Sequence, residues 1–176
     1  MDPGLTDDLV VLPGRDRSTA DEMATLVRLA GLKAEVAAYS FWAGDHGDPD
    51  LSAAVSALAR KSPRYVIAKS IGSLITMLAR RDCEWDLRAA LFLGVPVNRL
   101  RHERRMDLLL DHCRRTPTLI IQRRGDPTGS FAELAHEVAG ATDAVLLELP
   151  GDTHDYADVE AAATLRGWWR ELPFRR

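Results

Sequence analysis

Short apolar runs alternate with amphipathic segments along almost the whole chain, and that alternation limits the folds open to it. The runs lie at residues 8–12, 34–39, 65–67, 89–94, 118–122 and 144–149. The first, Asp-Leu-Val-Val-Leu, is typical: short, β-branched and apolar on both sides. A strand with that pattern is covered on both faces, as in a parallel sheet. Between the runs, apolar residues recur at helical spacing. In the first such segment Met23, Leu26, Val27 and Leu29 form the stripe, Asp21 and Glu22 sit in the first turn, and Gly31 stops the helix. The spacing predicts further helices over 51–59, from about 74 to 81, and over 102–114, 131–139 and 156–169. Asp155 is the expected cap of the last one.

Strictly alternating strands and helices give an α/β fold with three layers, helices on both faces of a parallel sheet. Right-handed crossovers then bring every strand-to-helix loop to one edge of the sheet. Ligands of open parallel sheets bind at that edge. Ser70, Asp126 and His154 each lie just beyond a predicted strand, the third, fifth and sixth.

The third junction reads Ala68-Lys69-Ser70-Ile71-Gly72. A strand that becomes a helix within a few residues forces its corner residue into a strained backbone, and its neighbours must be small. The corner side chain then stands exposed, and the N–H of Ile71 at the helix start can face a developing oxyanion. A serine hydroxyl is a weak nucleophile at neutral pH. It needs a base, and the base needs an acid to fix its tautomer. His154 and Asp126 supply that pair. Serine, acid, histidine is the chain order of the α/β-hydrolases, and the strand–serine–helix corner is their motif.

On these residues the sequence resembles a small, single-domain α/β-hydrolase over essentially its whole length, 1–176. The resemblance implies a six-stranded core in the order 2-1-3-4-5-6, with Ser70 as nucleophile, Asp126 as acid and His154 as base. It also implies a second oxyanion donor after the first strand, the backbone N–H of Arg15. Two positions depart from the commoner pattern: Ala68 replaces a glycine in the corner, and Pro13 stands where many relatives have histidine. Only residues 95–102 separate the fourth strand from its helix, too few for a lid domain. The expected cleft is therefore shallow and uncapped, bordered by the 40–50 loop and the arginine-rich 99–105 segment.

Composition narrows the partners. A chain of 176 residues with 46 % hydrophobic and 28 % charged residues suits one soluble domain. A net charge of −3 gives no reason to expect nucleic acid or an anionic membrane surface. No apolar run approaches the roughly 18 residues of a membrane span. The first residues lack a secretory pattern. Cys83 and Cys113 are too few for a disulfide framework or a zinc site, and they fit reduced thiols in the cytoplasm. The expected function is hydrolysis of a small-molecule ester or thioester, with no cofactor and no metal. The rival expectation is a non-catalytic binding or accessory protein on the same fold. A nucleotide- or flavin-binding fold is disfavoured, because neither G-x-G-x-x-G nor G-x-x-x-x-G-K-[ST] follows the first strand.

Trp42, His46 and Lys69 are the candidate substrate-lining residues. For His46 a solvated loop position is the competing expectation, and for Lys69 an ion pair with an acid near the corner. Asp152, close to His154, is a candidate for positioning its loop. His102, His112 and His136 fall on helices as surface or packing residues, and the arginines at 99, 101, 104 and 105 form a solvated helix face.

Overall fold

A computed structural model describes residues 8–44, 48–140 and 144–172. Six parallel strands form one sheet: β1 (Leu9–Leu12), β2 (Glu35–Val36), β3 (Tyr65–Lys69), β4 (Ala89–Leu93), β5 (Thr118–Arg123) and β6 (Val145–Leu149). Their spatial order is β2-β1-β3-β4-β5-β6, as expected. Among the described residues seven α-helices accompany them: α1 (Ser18–Leu29), α2 (Ser52–Lys61), α3 (Ile71–Asp82), α4 (Val97–His102), α5 (Met106–Arg115), α6 (Phe131–Val138) and α7 (Val159–Glu171). Among the described residues no helix is long and apolar enough to cross a membrane.

The period-two alternation of the strands divides the core in two. Leu9 and Val11 of β1, Tyr65 and Ile67 of β3, and Leu91 and Leu93 of β4 face α1 and α7. Val10, Leu12, Val66, Ala68, Ala90 and Phe92 face the opposite way, among residues of α2, α3, α5 and α6. Both faces of β1, β3 and β4 are therefore dry. Each fully buried Leu or Ile contributes roughly 1.5–3 kcal/mol, so the loops after these strands rest on the best-packed part of the molecule. Residues Ile71 to Ala79 of α3 are all buried, against β3, α2 and α5. A helix buried on every side over its first nine residues belongs inside a layered core, and its two buried hydroxyls, on Ser73 and Thr76, donate to the carbonyls of Ser70 and Gly72.

Four elements differ from the sequence expectation. The second strand is two residues long rather than 34–39. The chain leaves the sheet edge because Tyr39 turns inward, where its buried hydroxyl donates to the Pro13 carbonyl at 2.9 Å. Residues Ser40–Ala43 then form a 3-10 turn. The helix expected over 102–114 starts only at Met106, and a separate short helix, α4, occupies the segment 97–102 that was expected to be a connection; Glu103–Arg105 part the two, with Arg104 at φ +54°. The break lets α4 fold back over the carboxyl edge of the sheet, with Val97 against Gly129 and the Asn98 N–H donating to Thr128 O at 2.9 Å. The last helix starts at Val159, three residues later than expected, and its cap is Asp158 rather than Asp155. Asp155 instead accepts from the Ala157 N–H.

Candidate active site

The corner after β3 has the backbone that its sequence demands. Ser70 sits at φ +50°, ψ −114°. A non-glycine residue there stores roughly 1–3 kcal/mol of strain, which the packed surroundings must hold. The Ser70 N–H donates to Leu93 O at 2.9 Å, and the Ser70 carbonyl accepts from the N–H of Ser73 at 2.9 Å. Gly72 explains the small-residue requirement: a Cβ there would lie 2.6 Å from Leu12 O and 2.8 Å from Pro13 O. The start of α3 is thus pressed against the loop after β1.

That loop, Pro13 to Asp16, is held through its carbonyls. Tyr39 takes Pro13 O, and Trp42 Nε1 donates to Arg15 O at 2.7 Å. Trp42 packs in turn against Tyr39, at 4.9 Å between ring centroids. Trp42 therefore fixes the backbone of the candidate oxyanion loop, a role beyond the wall-lining expected of it.

Asp126 follows β5 and is 3 % exposed. His154 Nδ1 lies 2.8 Å from its Oδ2 and 3.0 Å from its Oδ1. Thr128 donates to Oδ1 from its N–H at 2.8 Å and its hydroxyl at 2.7 Å. The Tyr156 hydroxyl donates to Oδ2 at 2.8 Å. Burial alone would raise this carboxyl's pKa. The hydrogen bond and charge of His154, with the Thr128 bonds, outweigh burial and hold the pKa below its ordinary value. A carboxylate that accepts at Nδ1 assigns the proton to that nitrogen and leaves the lone pair on Nε2.

His154 Nε2 is buried and has no hydrogen-bond partner among the described residues, Ser70 Oγ included. The ring nevertheless packs against the end of β4, the strand that pairs with β3. A Cβ on Gly94 would stand 2.6 Å from His154 Cε1, and Leu93, the preceding residue, holds the Ser70 N–H. Without a ligand, hydrogen bonds of this kind are often long or misaligned and tighten on loading.

Three other predicted residues are placed as follows. Lys69 does not line a cleft. It is 2 % exposed and pairs with Glu22 of α1, the ion-pair alternative. His46 lies outside the described residues. Asp152 packs its Cβ against Gly125, where an added Cβ would be 3.1 Å away.

The sequence did not single out the residues that tie the loops together. Arg123, at the end of β5, donates to Asp155 O at 2.8 Å and Pro150 O at 2.6 Å, and it pairs with Asp158. Its guanidinium also lies over the Tyr156 ring at 5.2 Å. Gln122 bridges Val95 and Gly129 through their backbones. Only a late helix start would have left Tyr156 in the histidine loop, and the apolar stripe Ala161, Ala162, Leu165 was the available signal. Among the described residues no group of three or more His, Cys, Asp or Glu side chains could hold a metal ion.

No protein-family model matches the chain, and no curated protein sequence matches it significantly. Solved structures do match. An α/β-hydrolase enzyme from a metagenome of lagoon sediments at Mar Chica, Morocco, aligns with a TM-score of 0.68 at 16 % identity, covering 94 % of this chain and 92 % of that one. A structure assigned as a YdeN-like hydrolase, from Pectobacterium atrosepticum, aligns at 0.70 and 19 % identity with the same coverage, 94 % and 92 %. A cold-adapted esterase from an Arctic intertidal metagenomic library aligns at 0.65 and 15 % identity, covering 97 % and 84 %. The chain therefore has the three-layer fold of the α/β-hydrolases.

Proposed function

We propose that the protein is a serine hydrolase that cleaves a small ester or thioester by acyl transfer. The observation that carries the reading is the pairing of buried Asp126 with His154 Nδ1, on the same edge of the sheet as a serine at a strained strand-to-helix corner. In the first step His154 Nε2 takes the Ser70 proton while Oγ attacks the acyl carbon. The oxyanion rests on the N–H of Ile71, at the start of α3, and on the N–H of Arg15. Collapse expels the alcohol or thiol, which receives the proton from His154, and leaves an acyl-serine. Water, deprotonated by His154, then releases the acid and restores the serine. Asp126 keeps the tautomer and stabilises the imidazolium throughout. No cofactor or metal enters these steps. The fold it shares with esterases at low identity supports the class of reaction, and Cys83 and Cys113, both free, fit a cytoplasmic setting.

The test is turnover across short p-nitrophenyl esters and acyl thioesters. Activity in the wild type that is lost in Ser70→Ala and His154→Ala is the expected result. A wild type inactive on the whole panel would favour the second reading, a non-catalytic binding or accessory protein. The observation on that side is the unpartnered Nε2.

A further inference from the structure

Lys69 immediately precedes Ser70. By the period-two alternation of β3 it shares a face with Tyr65 and Ile67, so its side chain enters the α1 side of the sheet, where Met23 and Leu26 are buried. An ammonium in that apolar layer needs a counter-charge. Glu22 of α1 supplies it: the two side chains are 3 % and 15 % exposed, and Glu22 Oε2 accepts from Lys69 Nζ.

The same carboxylate has a second arm. Its Oε1 accepts from the backbone N–H of Tyr156 at 2.9 Å. Tyr156 lies two residues beyond His154, and its buried hydroxyl donates to Asp126. A continuous line of bonds therefore runs from the residue before the corner serine through Glu22 and Tyr156 to Asp126 and the imidazole. Strand β3 and the histidine loop are not sheet neighbours, since β4 and β5 lie between β3 and β6. Glu22 bridges that gap with one side chain.

We infer that Glu22 is a positioning residue: through Lys69 and the Tyr156 N–H it fixes the spacing between the Ser70 corner and the His154 loop. The inference rests on the hydrolase reading for its kinetic consequence, whereas the structural bridge is testable without it. A misplacement of about 1 Å between reacting groups can cost on the order of 100-fold in rate. A bridge that sets their separation should therefore act on kcat more than on KM.

The experiment compares wild type with Glu22→Gln, Lys69→Met and the double variant Glu22→Gln/Lys69→Met, using p-nitrophenyl acetate and rates per mole of folded protein. Each single variant is expected to lose roughly tenfold or more in kcat, with KM changed less than about threefold. The double variant removes both buried charges, so it should regain thermal stability lost in the singles without regaining kcat. Wild-type kcat in the singles, or recovery of kcat along with stability in the double, would overturn the inference, because a purely structural ion pair behaves that way. Amide exchange supplies an arm independent of turnover. In Glu22→Ala the Tyr156 N–H should exchange at least about tenfold faster while the β3 and β4 amides keep their rates; an unchanged Tyr156 rate overturns the bridge. If the wild type itself hydrolyses no ester, the hydrolase reading fails, and exchange alone decides whether Glu22 holds the loop.

Discussion

Asp126 carries more of the site than any other single side chain, because four donors converge on its two oxygens: His154 Nδ1, the Tyr156 hydroxyl, and the Thr128 N–H and hydroxyl. In Asp126→Asn the amide can donate where the carboxylate only accepted, which favours the wrong imidazole tautomer. The expected loss in kcat is roughly 10³–10⁴-fold with the fold retained, measurable by ester turnover alongside circular dichroism. The proposed trio of Ser70, Asp126 and His154 could be picked out in the sequence because their residue types and strand-end positions suggest a chemistry, and the structure pairs Asp126 with His154. Tyr156 and Glu22 could not be picked out, since each acts through a tertiary contact; the Glu22–Tyr156 bond spans 134 residues. Thr128 was missed for another reason: its bonds to Asp126 close a local turn whose geometry the residue types alone do not announce. Lys69 was half legible, for its parity with Tyr65 and Ile67 already pointed it into the core. His112 is a second titrating residue with a clear outcome. It is 2 % exposed, stacks on Phe92, and burial, aided by the charge of Arg80, pushes its pKa down to about 3. In the unfolded chain it titrates near 6.5. The unfolded state thus binds a proton that the folded state refuses, so stability is full above about pH 6.5 and is lost as pH falls toward 3. In denaturant titrations His112→Leu should hold its stability between pH 6.5 and 4.5, where the wild type loses about 2–3 kcal/mol from this group.

At the scale of elements, the site depends on how closely α3 meets β1. Gly72→Ala would drive a methyl into two backbone carbonyls, at 2.6 and 2.8 Å. Overpacking there should cost about 1–3 kcal/mol, read as a lower denaturant midpoint. It should also slow ester turnover, since relief requires the Ser70 corner or the Pro13 loop to move. The histidine loop depends instead on β5. Arg123→Met removes two carbonyl contacts and the Asp158 pair, and a loss of about 2–3 kcal/mol is expected by denaturant unfolding. Apart from α4, element existence was readable from apolar period, but some boundaries were not. The helix expected from 102 starts at Met106, and the short α4 over Val97–His102, with Leu100 buried and Val97 against Gly129, falls in a segment too short and too basic to read as an element of its own. The second strand was overextended because an apolar edge segment reads as strand until Tyr39 finds a hydrogen bond off the sheet.

Over the whole molecule, alternation and handedness gave a parallel sheet with its strand-to-helix loops on one edge, while the strand order, which the structure shows as expected, came from the resemblance to the α/β-hydrolases. Loop conformation followed from neither, since it is set by side chains that meet only after the sheet has formed. The result is a dry double-faced core under β1, β3 and β4, with the loops of β3, β4, β5 and β6 gathered on one edge and bound to one another by Glu22, Gln122, Arg123 and Tyr156. That bracing should make the site rigid relative to the edge strands, where Val145 of β6 is 61 % exposed. The central claim is that Ser70 becomes a covalent acyl carrier, driven by His154. Reaction with a fluorophosphonate, followed by peptide mapping in a mass spectrometer, tests it most directly. One adduct per chain on Ser70, absent in Ser70→Ala and strongly slowed in His154→Ala, is the predicted result; an unlabelled wild type, or an adduct on a different residue, would contradict it.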